Sequence, residues 1–528
     1  LMLAPFGGNV EGVRAASLAY FGKEPTRLTV AEAALLVALP QSPEARRPDR
    51  DPEAARAARD RVIDRLVGAG VLGEEAAAAA KTERVPTRRR DFPMLAAHLT
   101  ERAIAARPKD GSIRLTIDRT LQASLEALAH DRAAAFGPKL SMAIVVADHL
   151  SGAIVASVGS PGLLEDQRAG HVDMTLAVRS PGSTLKPLIY GLAFEEGLAH
   201  PSSLIEDRPT AFGSYAPQNF DGHFRGTVTI REALQESLNI PAIITLDAVG
   251  PTRLVARMKR AGIAPSLPAL SSPGLAVGLG GVGLSLRDLV QLYAAIARGG
   301  TAVTLNDGLA PAPPLKAGPP VLEPDAAWQI ADILAGVPPP NNASPGLIAY
   351  KTGTSYGYRD AWSIGFDGQY VVGVWIGRPD GTAVPGLSGI TGAAPILFEA
   401  FGRIGPRRVP LLPQPPGVLV ATTAELPAPL RRFRHPDEKV VDRDTGPEIA
   451  FPREGVTVDL GIKAGDPSPL VIKVRNGSPP FTFFANGVPV GQSPFARDET
   501  WQPDGAGFVT LSVIDAVGRS DRVTVFVE

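Results

Sequence analysis

A serine and a lysine, three positions apart, are the residues of this sequence best suited to nucleophilic catalysis. Ser183 and Lys186 lie in SPGSTLKP, and on a helix that begins there their side chains would share one face, one turn apart. A serine hydroxyl is a weak nucleophile at neutral pH and needs a base nearby. A lysine can be that base only if burial or a second cation lowers its pKa. The motif therefore predicts another lysine close by.

A second motif combines a hydroxyl with a carboxamide two positions apart, Ser237 and Asn239 in LQESLNIPA. The hydroxyl of Ser237 could relay a proton, and the carboxamide of Asn239 could bind a substrate amide. Alone this pattern is weak, because S-x-N recurs by chance in a long chain.

The third motif, KTGT at 351–354, begins with the second lysine that the first motif requires. The small Gly353 would let a substrate backbone lie along this strand as an added edge. The hydroxyls of Thr352 and Thr354, together with Lys351, suit a substrate carboxylate.

The order and the wide spacing of the three motifs carry more weight than any one of them. The S-x-N motif follows Ser183 by 54 positions (237 − 183), and KTG follows Asn239 by 112 (351 − 239). S-x-x-K, S-x-N and K-T-G in this order are the motif set of penicillin-binding proteins and class A β-lactamases.

Two competing motifs point to other chemistry. Residues 353–357, GTSYG, match the G-x-S-x-G elbow and would make Ser355 the nucleophile. That elbow needs a strand before it, a helix after it, and an acid and a histidine further on, but His435 is the one histidine downstream. GLGGVG, 278–283, matches a dinucleotide-binding motif without a clear strand before it or an acidic residue at the expected distance. We interpret it as a close-packed turn before the helix LSLRDLVQLYAAIA.

The composition narrows the function classes further. A net charge of −1 over 528 residues gives no support to a nucleic-acid partner. The absence of cysteine excludes disulfides, thiolate chemistry and sulfur-ligated zinc. The seven histidines form no close ligand pair, so neither a metal nor a cofactor is predicted.

No apolar run is long enough to span a membrane. Because the chain starts at Leu1 in what reads as mid-domain sequence, we expect a preceding stretch with a membrane anchor.

Hydrophobic periodicity predicts the elements that must position the motifs. The elements expected before the tail are helices over 28–39, 51–72 and 119–135, a short strand over 112–118, a hairpin of 142–148 and 152–160, and a strand over 369–377. Residues 406–445, rich in Pro and Arg, read as a semi-extended linker. Residues 446–528 alternate like short strands separated by turns, which is typical of a small β-sandwich.

The segments around the three motifs resemble the transpeptidase domain of class A penicillin-binding proteins. KTGTSYGYRDAW, with GRPDG after it, resembles the penicillin-binding protein 1C branch, whose small terminal domain is similar to residues 446–528. The first residues, APFGGNVEGVRAASLAYFGK onward, resemble the last third of a family 51 peptidoglycan glycosyltransferase.

The resemblance implies a multidomain chain. Its parts are an α-helical glycosyltransferase remnant (1–85), a connector (86–111), an α+β serine transpeptidase with an antiparallel sheet flanked by helices (112–405), the linker (406–445) and an all-β Ig-like sandwich (446–528).

The resemblance also implies the chemistry. Ser183 would attack the bond between the last two residues of a peptidoglycan stem peptide ending in D-Ala-D-Ala, and Lys186 would accept its proton, kept neutral by Lys351. Ser237, with Lys351, would pass a proton to the leaving D-alanine. Penicillin would mimic the donor and remain attached to Ser183.

Substrate binding follows from the same resemblance. The backbone N–H groups of Ser183 and Thr354 would form the oxyanion hole. Asn239 would hold the side-chain amide of the donor peptide. The terminal carboxylate would lie against Lys351, Thr352 and Thr354, beside Gly353.

Further expectations concern location, partners and alternatives. The protein is expected on the periplasmic side of the bacterial inner membrane, with stem peptides and β-lactams as ligands and cell-wall synthesis proteins as possible partners of the terminal domain. The glycosyltransferase part is expected to be inactive, because the acid/base glutamates of that family stand in motifs N-terminal to this stretch and are absent here, and Glu11 matches neither motif. The alternatives are a D,D-carboxypeptidase or β-lactamase-like hydrolase, which would use water as acceptor, and a non-catalytic cell-wall-binding protein.

Overall fold

The computed structural model of this chain describes residues 3–92, 94–213, 215–267, 272–310, 318–341, 343–436, 446–462 and 468–528. The chain forms two compact units, Leu1–Leu95 and Ala96–Glu528. Among the described residues, none of the helices is both long and apolar enough to cross a bilayer.

The first unit is helical, as predicted. Asp51 begins the long helix by accepting a hydrogen bond from the Ala54 N–H, and Thr29 and Glu32 form a capping box on the helix before it. The guanidinium of Arg59 is buried and donates to the carbonyl oxygens of Glu83 and Lys81, which ties two helices together. The helices are α1 (Val13–Phe21), α2 (Val30–Ala38), α3 (Pro52–Gly68) and α4 (Glu74–Thr82).

The second unit begins with an α+β domain built on a five-stranded antiparallel sheet of order β2-β1-β7-β6-β5. Its elements are α5 (Ala97–Ala106), α6 (Arg119–Ala135), β1 (Ser141–Asp148), β2 (Ile154–Val158), α7 (Lys186–Glu195), β3 (Leu204–Asp207), β4 (Gly226–Thr229), α8 (Ile230–Gln235), α9 (Asn239–Val249), α10 (Pro251–Arg260), α11 (Leu286–Ala297), α12 (Pro324–Ala335), β5 (Ala349–Thr354), β6 (Asp360–Phe366), β7 (Tyr370–Gly377), α13 (Ala394–Ile404) and α14 (Ala428–Arg431).

Helices cover both faces of this sheet, and the sequence of β1 reflects it. Ala143, Val145 and Ala147 point into the core formed with α7, α9 and α11, whereas Ile144 and Val146 point into the core formed with α6 and α13. An antiparallel strand buried on both faces needs apolar residues at every position, which explains the unbroken run MAIVVA.

One predicted strand is wrong. Residues 112–118, all of them described, form no strand. Their polar groups make single hydrogen bonds to several different segments instead of pairing with one neighbouring strand. The Thr116 N–H donates to the carbonyl of Asp307 and its hydroxyl to that of Ile154, while the Asp118 N–H donates to Val155 O. The predicted helix that follows is confirmed as α6, with the Asp118 carboxylate as its N-cap.

The tail forms two antiparallel sheets, of orders β13-β10-β8 and β12-β11-β14-β15-β9, with β9 pairing parallel to β15. The alternating segments SPLVIKV, PFTFFANG, GFVTLSVID and RVTVFVE predict four of these strands, and the others are short or carry Pro, Gly or charged residues. The core between the sheets includes Ile472, Phe481, Phe483, Leu511 and Val525. The strands are β8 (Glu448–Phe451), β9 (Thr457–Val458), β10 (Leu470–Arg475), β11 (Phe481–Ala485), β12 (Val488–Ser493), β13 (Asp498–Trp501), β14 (Gly507–Ile514) and β15 (Ser520–Val527).

The described part of the Pro/Arg-rich segment, 406–436, contacts the α+β domain closely. The Phe433 N–H donates to Leu204 O at 2.8 Å, and Arg432 forms a parallel bridge with Leu204. Leu426 is fully buried and Phe433 joins the domain core. This segment therefore packs against the α+β domain and pairs with β3 at the edge of the small β3–β4 sheet.

Candidate active site

Ser183 lies in a single 3₁₀ turn, Gly182–Leu185, which leads directly into α7. This turn abuts the end of β5 because two glycines remove side chains between them. A Cβ on Gly182 would lie 2.4 Å from Thr354 O, and one on Gly353 would lie 2.7 Å from Pro181 O. Because neither glycine has a side chain, the backbones of the S-x-x-K and K-T-G motifs, distant in sequence, lie in contact.

Lys186 is the first residue of α7 and its side chain is fully buried. Its Nζ donates to Ser237 O at 2.5 Å and to Asn239 Oδ1 at 2.7 Å, and lies 3.4 Å from Ser237 Oγ. Burial, followed by the neighbouring charge of Lys351, holds the pKa of the Lys186 amine well below its ordinary value, and Asp207 partly opposes this. An amine with a lowered pKa, one turn along from Ser183, has the property that a general base needs.

Ser237 lies in the tight turn between α8 and α9, with a positive φ of 61°. Few non-glycine residues adopt this left-handed conformation, which is concentrated at functional sites. The turn is pinned by α8, which begins with a capping box formed by Thr229 and Glu232. It aims the Ser237 hydroxyl at both lysines.

Lys351 lies on the edge strand β5 and is almost completely buried. Its Nζ donates to Ser237 Oγ at 2.8 Å and to Thr352 O at 2.9 Å. Burial lowers the pKa of Lys351 to about 7. Since two adjacent ammonium groups repel each other, Lys186 and Lys351 are not readily protonated together.

The carboxamide of Asn239 is engaged at both ends. Its Oδ1 accepts from Lys186, and its Nδ2 donates to Gln218 O at 2.6 Å. The structure therefore joins four of the predicted catalytic residues, Lys186, Ser237, Asn239 and Lys351, in one hydrogen-bonded cluster beside the turn that carries Ser183.

A loop that sequence reasoning missed covers the end of β5. The Gly389 N–H donates to Thr354 Oγ1 at 3.0 Å, and a Cβ on Gly389 would lie 2.5 Å from Gly353 O. The Thr354 hydroxyl therefore keeps its own proton available for donation. The segment GLSGITG gave no signal for this contact.

Two more missed residues, Asp207 and Asn219, lie behind the cluster. The Asn219 Nδ2 donates to both carboxylate oxygens of Asp207, at 2.9 and 2.8 Å, and its Oδ1 accepts from the Asn239 N–H at 2.7 Å. Neither residue type nor spacing singled them out, because they meet the motifs only in the folded chain.

The competing motifs have structural roles. Ser355 is buried, donates from Oγ to Asp360 Oδ2 at 2.9 Å, and closes the β5–β6 turn; a strand, not a helix, follows it. Gly278 lies in a 3₁₀ turn, Leu275–Leu279, and the later glycines of 278–283 lead from it towards α11. The interpretation of this segment as a turn is consistent with the geometry.

Three family models match the chain in succession. They are "Transglycosylase" at residues 1–67, "Penicillin binding protein transpeptidase domain" at 142–380 and "Penicillin-Binding Protein C-terminus Family" at 436–525. The central match contains all the residues of the cluster.

Curated relatives give the same picture. The chain is 45% identical to penicillin-binding protein 1C of Escherichia coli (strain K12) over 400 residues, which are 75% of this chain and 51% of the relative. It is 28% identical to penicillin-binding protein 1F of Bacillus subtilis (strain 168), over 70% of this chain and 56% of the relative. The chain thus spans about half the length of these relatives.

Solved structures share the fold at low identity. Penicillin-binding protein 1A from Haemophilus influenzae aligns with a TM-score of 0.56 and 17% identity, covering 78% of this chain and 86% of that one. The PonA1 protein from Mycobacterium tuberculosis in complex with penicillin V aligns with a TM-score of 0.52 and 20% identity, covering 61% and 97%.

Proposed function

This chain belongs to the penicillin-binding protein family, and from that premise we propose that it is a D,D-transpeptidase that cross-links peptidoglycan stem peptides through an acyl-enzyme on Ser183. One observation carries the proposal: two buried amines, Lys186 and Lys351, lie within reach of one hydroxyl, Ser237 Oγ. Lys186 directly follows the turn that carries Ser183, so an amine with a lowered pKa lies next to the proposed nucleophile in the fold, and a serine nucleophile needs such a base.

In the acylation step, Ser183 Oγ attacks the carbonyl carbon between the two D-alanines, and its proton passes to the neutral amine of Lys186. The backbone N–H groups of Ser183 and Thr354 stabilise the oxyanion; losing one such donor typically costs about 10²–10³ in rate. The C–N bond then breaks. The leaving nitrogen takes a proton from Ser237 Oγ, which is replenished from the adjacent lysine amines.

The deacylation step uses an amine of a neighbouring stem peptide. That amine attacks the ester carbonyl, forms the new amide bond and returns the proton to Ser183 Oγ. Asn239 orients the donor peptide by its amide, and Lys351 and Thr354 hold the terminal carboxylate. A β-lactam has no leaving group that diffuses away, so it stalls at the acyl-enzyme.

The direct test supplies a stem pentapeptide ending in D-Ala-D-Ala together with an acceptor amine. Mass spectrometry should detect free D-alanine and the cross-linked dimer in equal amounts. D-alanine without dimer would identify a carboxypeptidase, which uses water as acceptor. Neither product, together with no covalent labelling by any β-lactam, would leave a non-catalytic cell-wall-binding protein.

Acylation should depend on pH in a way set by the lysine pair. The base, Lys186, acts only when neutral, and burial and the charge of Lys351 hold its pKa well below the ordinary value, so acylation should slow once the pH falls below the pKa of Lys186 in the folded protein. We expect the second-order rate of acylation by penicillin to fall by up to about tenfold per pH unit below that value. Stopped-flow labelling between pH 5 and 9, with the thermal midpoint measured at each pH, checks this. A flat rate over the range would contradict a lysine base.

We also propose that this chain does not polymerise glycan. Glycosyl transfer needs a positioned acid/base carboxylate, whereas two glutamates of the first unit, Glu32 and Glu44, hold structural contacts. Glu32 caps α2 and pairs with Lys23, and Glu44 accepts from the Gly8 N–H. Incubation with a lipid-linked disaccharide-peptide should yield no polymer by gel electrophoresis. Polymer that disappears with moenomycin-type inhibition would contradict the proposal.

The substrate places the proposed activity outside the cytoplasmic membrane, on its periplasmic side. The described residues of the tail sandwich contribute nothing to the cluster, and its proposed role is to bind cell-wall synthesis proteins.

A further inference from the structure

A buried carboxylate that the proposed mechanism does not use lies at the end of β3. Asp207 is fully buried and accepts three hydrogen bonds, two from Asn219 Nδ2 and one from the Arg225 N–H at 2.7 Å. Isolated buried carboxylates are costly and persist where neighbours compensate the charge. Asp207 acts on the Lys186 amine nearby and raises its pKa.

Hydrogen bonds connect this carboxylate to the general base. Asn219 Oδ1 accepts from the N–H of Asn239, the first residue of α9, and Asn239 Oδ1 accepts from Lys186 Nζ. Asn219 also donates to His223 O, which fixes its amide orientation. Each link is 2.7–2.9 Å long.

We propose that Asp207 and Asn219 are positioning residues of the transpeptidase site, which hold Asn239 and thereby the Lys186 amine in line with Ser183. Neither residue touches substrate in this account. This proposal rests on the proposed function. It adds to that function by naming the residues that hold the proposed base, Lys186, in place.

The primary variant is Asp207→Asn, with Glu206→Gln as its matched control. Glu206 is the preceding residue of the same strand, but it contacts Thr227, Arg208 and Arg432 instead of the cluster. We expect Asp207→Asn to slow acylation by about 10²-fold, since small misplacements of a catalytic group cost that much. Glu206→Gln should stay within about threefold of the wild-type protein. Equal rates for the two variants would overturn the proposal.

A lysine titration separates positioning from general destabilisation. The charged groups that act on Lys186 are Lys351, which lowers its pKa, and Asp207, which raises it. Removing the Asp207 charge should lower the pKa of Lys186 and move the acidic limb of the acylation rate to lower pH. Asn219→Ser keeps that charge, so it should slow acylation without this shift. NMR of ¹³Cε-labelled lysine reads the Lys186 pKa directly.

The same titration keeps the two proposals distinguishable. If the wild-type protein does not acylate, the proposed function fails, yet the Lys186 signal still reports on its surroundings. A Lys186 pKa that Asp207→Asn leaves unchanged would overturn the role of Asp207 independently.

A different observation links the tail sandwich to this support. The ring of Phe495, in the loop between β12 and β13, occupies the place of a side chain on Gly226: a Cβ there would lie 2.5 Å from the ring. The Arg208 guanidinium lies 4.7 Å from the ring centroid, a cation–π distance. Gly226 is the register partner of Asp207 across the β3–β4 pair.

We propose, second, that Phe495 braces the β3–β4 hairpin, so that the tail sandwich supports the transpeptidase site through Asp207.

The test is Phe495→Ala in the full chain, with Phe508→Ala as control. Phe508 lies on the same sandwich, is 76% exposed and contacts Phe526. We expect Phe495→Ala to slow acylation roughly three- to tenfold and to speed amide exchange in the hairpin, with no change for Phe508→Ala.

A double-mutant cycle decides whether the brace acts through Asp207. In the Asp207→Asn background, Phe495→Ala should have little further effect, because coupled residues give non-additive changes. Fully additive effects, or hairpin exchange that Phe495→Ala leaves unchanged, would overturn the brace.

Discussion

Ser183→Ala is expected to abolish covalent labelling by a fluorescent penicillin. The acyl bond forms on the serine oxygen, and alanine has no atom to replace it, so no labelled band should survive a denaturing gel. The turn Gly182–Leu185 should keep its shape, since it is anchored by Trp362 Nε1 donating to Ser180 O and Tyr293 OH donating to Thr184 O. The thermal midpoint should therefore stay close to that of the wild-type protein.

Ser355→Ala is the matched control, because Ser355 is the serine of the competing elbow motif. It should label at the wild-type rate. Its hydroxyl both donates to and accepts from Asp360, so its loss should cost about 1–3 kcal/mol of stability. A band retained in Ser183→Ala and lost in Ser355→Ala would reverse the assignment of the nucleophile.

The candidate site residues that lie in short sequence motifs could be identified from the sequence alone. The S-x-x-K motif predicted a second lysine nearby, and the structure places Lys186 and Lys351 against one hydroxyl, that of Ser237. This requirement could be stated before the second lysine was found, because a serine nucleophile without a histidine has few physical solutions.

The sequence was insufficient where a residue acts through tertiary contact. Asp207 ends a strand in LIED and Asn219 lies in the loop QNFDG, and neither position has a periodicity or spacing that marks it. The predicted strand at 112–118 failed for a related reason. Its alternation suits a strand, but Thr116 and Asp118 find separate backbone partners instead of a continuous ladder.

The burial of the base explains why the support residues are needed. A lysine amine in water is protonated and inert, so lowering its pKa requires a dry position. A dry position leaves the amine dependent on the few acceptors around it, here Ser237 O and Asn239 Oδ1. Activation of Lys186 and its exact placement are thus two consequences of the same burial.

Lys186→Met should slow acylation by about 10²–10⁴-fold, the usual contribution of a general base, while changing the thermal midpoint by only a few degrees. Methionine fills similar volume without an amine. Removing a desolvated amine relieves a burial cost, whereas Ser237 O and Asn239 Oδ1 lose a donor; these stability effects oppose each other. Rates come from stopped-flow labelling and stability from thermal unfolding, with Lys351→Met as the companion variant. In the proposed mechanism Lys351 only assists Lys186. A larger loss of acylation rate in Lys351→Met than in Lys186→Met would show that the base is Lys351 instead.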